Sequence, residues 1–78
     1  MITRLSFDHR PKELASRQSG TAEVALLWSR RSHCAAVAVQ DDASGEYFEL
    51  LIEPGDDPLD VFEHPYAYAA RKAVSRAA

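Results

Sequence analysis

Three histidines, one cysteine and a crowded set of carboxylates are the residues of this 78-residue chain with the means to do chemistry. A structural zinc site needs four ligands and shows paired spacings such as C-x-x-C or H-x-x-x-H. His9, His33, His64 and Cys34 offer no such pair. His33 and Cys34 are adjacent, and neighbours on a strand point to opposite faces, so no metal is expected. A nucleophilic Cys34 would need a base and a depressed pKa; a free cysteine more often serves as a small hydrophobe. Asp56, Asp57 and Asp60 resemble a carboxylate cluster. A helix start accounts for them equally: Asp57 as N-cap, Pro58 as first residue, Asp60 in the first turn and Asp56 in the turn before. Paired catalytic carboxylates also need a cleft, which a thin domain is poorly built to enclose. Glycine-rich phosphate loops, G-x-S-x-G and helix-turn-helix patterns are lacking. The expectation is a protein that is not an enzyme and takes no cofactor.

FEHPYAYAARKA, residues 62–73, poses a second question. Tyr66 and Tyr68 interleave with Arg71 and Lys72, as aromatics and bases do on surfaces for single-stranded nucleic acid. On one helix, Tyr66 would share a side with Phe62 and Ala70 and join the core, while Tyr68 and Lys72 would share another. His64 stands at the break before Pro65. His64, Tyr68, Arg71 and Lys72 are therefore a candidate tail surface. A net charge of −3 and a long acidic segment weigh against nucleic acid as a main partner. Weak nucleic-acid binding through this basic, aromatic tail is kept as the alternative function.

The elements that must position these residues are read from period. MITRLSFDHR has no clean repeat and is expected to be an N-terminal arm, residues 1–10, ahead of a single α+β domain over 11–78. PKELASRQSG predicts a short helix, with Pro11 at its first position and Ser19-Gly20 as its stop. From Thr21 the period falls to two. TAEVALLW, CAAVAVQ and EYFELLI predict three strands, joined by SRRSH and DDASG in an antiparallel meander. Setting Val39 opposite Phe48 aligns Val37 with Leu50 and Ala35 with Ile52. Setting Trp28 opposite His33 aligns Leu26 with Ala35 and Val24 with Val37. Both hairpins then give one coherent apolar face, and a one-residue slip would scatter it. The opposite face carries Ala25, Leu27, Cys34, Ala36, Ala38, Tyr47, Glu49 and Leu51. Its small, mostly uncharged residues predict cover by the N-terminal helix or by a second subunit. Ala25, Leu27, Cys34, Ala36, Ala38 and Leu51 are the candidate interaction residues. A C-terminal helix kinked at Pro65, or restarting there, presents Leu59, Phe62, Tyr66, Ala69 and Ala70 inward. Trp28, Val37, Leu50 and Phe62 are the expected core centre.

Size and charge bound the rest. A chain this short supplies only about 3–5 kcal/mol from its core, and one cysteine permits no internal disulfide. Self-association is the remaining aid. Residues 41–63 hold nine acids and no base, residues 1–40 six bases against three acids, and residues 64–78 three bases and no acid. Such blocks suit pairing with a second copy or with another protein. The lone cysteine and the lack of a long apolar run point to a cytoplasmic protein with no membrane segment. The functional expectation is a small non-catalytic protein-interaction module, homodimeric.

Leu26–Trp28 (LLW), Phe48–Pro54 (FELLIEP) and above all Phe62–Ala70 (FEHPYAYAA) carry a resemblance. The chain resembles short proteins of high-GC actinobacteria that end in a similar F-x-H-P-[FY]-A-Y-A motif. The likeness spans roughly residues 20–72 and leaves the arm outside. That group has no assigned activity or ligand, so the resemblance implies one compact domain and no site residue.

Overall fold

A computed structural model of the chain describes residues 11–71. It is an α+β arrangement of four antiparallel strands and two short helices: β1 (Lys12–Ser19), β2 (Ala22–Ser29), β3 (Cys34–Asp41), β4 (Tyr47–Leu51), α1 (Pro58–Glu63) and α2 (Pro65–Arg71). The strands lie side by side in chain order. The expected arm, residues 1–10, and Lys72 onward lie outside the described residues. Among those described, no helix is long and apolar enough to cross a membrane.

The first correction concerns β1. PKELASRQSG is not a helix: Lys12–Ser19 pairs with β2 along its length, from Lys12↔Trp28 to Ser19↔Ala22. The Ser19-Gly20 signal that looked like a helix stop is a hairpin signal. Gly20, at φ 61, and Thr21 form a two-residue loop, and glycine at the first position of such a loop suits a type II′ turn. An irregularity between Glu13 and Ala15 leaves Leu14 as an extra residue, half exposed, as a β-bulge does. Helix propensity is a weak prior, and an open edge on β2 overrides it.

In the other strands the period-two reading holds. Val39↔Phe48 and Val37↔Leu50 pair as expected, and the Ile52 N–H donates to the Ala35 carbonyl at 2.9 Å. Between β2 and β3 the pairs are Val24↔Val39, Leu26↔Val37 and Trp28↔Ala35, two residues away from the expected alignment. A slip of two preserves the faces. Its cause is local: Ser29 pairs with Cys34, and the loop Arg30–His33 closes over it. The Ser29 carbonyl accepts from His33 N–H and its hydroxyl from Ser32 N–H.

Val24, Val37, Val39, Phe48, Leu50 and Val61 are buried to within 1% exposure and form the main core with Leu26, Ala22 and Ala69. The expected core centre is thus half right. Val37 and Leu50 belong to it, but Trp28 and Phe62 are only partly buried. The inward stripe also differs. Val61 and Ala69 are buried, whereas Leu59, Tyr66 and Ala70 are exposed. The reason is the break at His64 (φ −130, ψ 54), where the residue before a proline avoids the helical region. The C-terminal helix is two helices, with the second restarting at Pro65, and each sets its own phase against the sheet.

Candidate functional site

The HPY stretch sits where α1, α2 and β1 meet. Asp57 caps α1 as expected, accepting from Leu59 N–H at 3.1 Å, with Pro58 first in the helix. Asp56 closes the preceding turn by accepting from Glu53 N–H. At its other end, α1 leaves carbonyls without intrahelical donors, as every helix does. Arg17 fills that role from the sheet. Its Nε and Nη2 donate to the Phe62 carbonyl at 3.2 and 2.8 Å, and Nη2 also reaches the Glu63 carbonyl at 2.9 Å. The same guanidinium lies 5.4 Å from the centre of the Phe62 ring. A cation at a helix C-terminus is also favoured by the helix dipole. Arg17 pairs with Val24, so it stands on the core face and points at the helices.

A second set ties α1 to α2. The Tyr68 hydroxyl donates to Asp60 Oδ2, and Arg71 lies over the Tyr68 ring at 4.3 Å. His64 Nε2 is 4.0 Å from Asp60 Oδ1, beyond hydrogen-bond reach. The Asp60 carboxylate holds the Tyr68 proton and raises its pKa above the ordinary tyrosine value; partial burial adds to this and Arg71 opposes it. Asp60 therefore serves as more than a favourable charge in the first turn of α1.

His64, Tyr68 and Arg71, three of the four candidate tail residues, thus come together around Asp60; Lys72 lies outside the described residues. The candidate interaction residues share one sheet face, as their period requires. Ala25, Leu27, Ala36 and Ala38 are already buried within the chain, and Ala25, Leu27 and Ala38 form a second cluster with Tyr47. With Lys12–Ser19 in the sheet as β1, the helix expected over that stretch does not cover them. Cys34 is half-buried opposite Ser29, with its Sγ 3.4 Å from the Ser32 carbonyl. Leu51 is 50% exposed. Sequence reasoning missed Arg17. The signal was the strand period of Ala15, Arg17 and Ser19, hidden by the helix reading.

Two open depressions flank the junction. One, of about 220 Å3, is walled by Arg17, Ser19, Glu63, His64 and Tyr66 over a Val24 floor. The other, about 370 Å3, lies between Gly55, Asp56, Tyr68 and Arg71. Their most basic groups, Arg17 and Arg71, are engaged with protein partners. Among the described residues, no group of three or more His, Cys, Asp or Glu is placed to hold a metal. No protein-family model, curated protein or solved structure matches this chain.

Proposed function

We propose that the protein is a small non-catalytic protein-interaction module that pairs with a second copy of itself. The observation that carries this reading is the exposure of Leu51 and Leu59, 50% and 63%, on either side of the acidic loop that joins β4 to α1. Leu51 ends the outer strand β4, which has β3 on one side and no strand on the other among the described residues. A strand edge with an apolar side chain offers backbone groups and contact area together. Ala25, Leu27, Ala36 and Ala38 are filled from within the chain, which supports assigning the pairing surface to the β4 side of the molecule instead.

Light scattering from micromolar to millimolar concentration tests the reading. A dimer is expected, with Leu51→Lys driving it to monomer while the melting curve keeps its shape. A wild-type monomer throughout this range would end the pairing reading. For the tail, the geometry favours an internal latch over base stacking. The hydroxyl of Tyr68 is bonded to Asp60 and its ring is covered by Arg71, so a base would have to displace both.

A further inference from the structure

The loop between β2 and β3 breaks a rule that the other turns obey. Among the described residues, four have positive φ in the left-handed range, and three are glycines: Gly20 at 61°, Gly45 at 75° and Gly55 at 93°. The fourth is His33 at 55°. A side chain costs free energy in that conformation, and such costs persist where the residue's own chemistry is used. The His33 ring is stacked on Trp28, with centroids 6.3 Å apart and planes at 27°. Arg30 and Arg31 are exposed in the same loop, and Lys12 is the β1 partner of Trp28. No ion pair or side-chain hydrogen bond among the described residues engages the side chains of Lys12, Arg30 or Arg31. The loop is also held in shape, by the buried Ser29 accepting two backbone N–H groups.

We propose that this turn, with Arg30, Arg31 and Lys12 around the Trp28–His33 stack, is a binding surface for single-stranded nucleic acid. Guanidinium groups pair with phosphate oxygens in a fork, and an exposed ring accepts a base face. An acidic peptide would use the cations but leave the ring idle. The net charge of −3 does not oppose this, because the charge is segregated. Asp41, Asp42 and Glu46 sit at the far end of the eight-residue β3, roughly 25 Å away. Of the nearer acids, Glu13 pairs with Leu27 and so stands on the sheet face opposite Trp28, and the others follow Ile52, two strands across from Trp28. That is roughly 10 Å, about a Debye length at physiological salt. This surface is independent of the pairing reading above, since it lies on another part of the sheet and needs no second copy.

Trp28 is the only tryptophan, so its fluorescence in the full chain reports directly on the surface. Titration with short oligodeoxythymidylate or oligouridylate at low salt is expected to give saturable quenching. The logarithm of affinity should fall with that of salt with a slope of about −1.4 to −2, for two or three phosphates on a single strand. Arg30→Ala with Arg31→Ala should weaken binding about tenfold or more. His33→Gly and His33→Asn both suit positive φ. Each is expected to keep the thermal midpoint within a few degrees of wild type while binding weakens several-fold. The proposal is overturned if low-salt titration gives no quenching, if these variants bind like wild type, or if polyglutamate binds as well as the oligonucleotides.

Discussion

Val24, Val37 and Leu50 in the sheet are fully buried and apolar, whereas the helix junction is held by Arg17, Asp60, Tyr68 and Arg71, all polar. These two regions differ in how they are specified. In the sheet, each residue needs only the right size and the right parity, and a shift of two is absorbed without changing faces. At the junction, each group needs one particular partner at one distance. Burial therefore supplies most of the stability, while the polar junction sets where the short helices stop and turn. The largest expected effect follows from that division. Leu50→Ala should cost about 2–5 kcal/mol, comparable to the whole stability expected of so small a domain. Urea unfolding should find the variant largely unfolded in buffer. Phe62→Ala, at a partly buried position under Arg17, should cost clearly less; equal losses would mean that the helices contribute to the core as much as the strands do.

The same division explains what was legible in the sequence. Strand parity from Thr21 to Ile52 was readable because alternation is a local pattern with one outcome. The Asp57-Pro58 helix start was readable because caps act over two or three residues. β1 was not, since Pro11, Ala15 and Ser19-Gly20 satisfy helix rules and strand rules alike, and only the unpaired edge of β2 decides between them. The helix phase was misread because a single stripe was drawn through His64, where the chain leaves the helical region. The Arg17 contacts join residues 45 and 46 positions apart, a separation at which no spacing rule operates. Tyr68 was singled out as a surface residue, but its bond to Asp60 depends on the bend between α1 and α2.

Arg17 gives the next effect in size. Arg17→Ala removes charge-assisted hydrogen bonds to two carbonyls and leaves them without that donor, at about 1–3 kcal/mol. Arg17→Lys should recover only part, because an ammonium cannot fork across two acceptors. Amide exchange should speed from Phe62 to Tyr68 while β2 and β3 keep their protection. If protection fell evenly over the whole domain, Arg17 would belong with the core instead of with the junction.

The smallest effects are the most selective, because each region carries its own titrating group. Asp41, the last residue of β3, accepts from the Thr21 hydroxyl at 2.7 Å and from Ala43 N–H at 2.9 Å. These bonds, that of Thr21 foremost, hold its pKa below the usual carboxylate value. A lowered folded-state pKa stabilises the fold above about pH 4, and the contribution is lost as pH falls through the lowered value. Tyr68 has the opposite sign. Its raised pKa favours the neutral phenol in the fold, so the contribution is present below about pH 10 and disappears as pH climbs through the raised value. The acid limb of the stability profile thus belongs in part to the sheet turns and the alkaline limb to the helix junction. Thr21→Val should change the acid limb alone. Asp60→Asn should change the alkaline limb, and Tyr68→Phe should remove the same component. The double variant should lose no more than either single one, because both changes break one bond. Additive losses, or an alkaline limb unmoved by Asp60→Asn, would separate Tyr68 from Asp60 and leave Arg17 as the junction's main polar fastening.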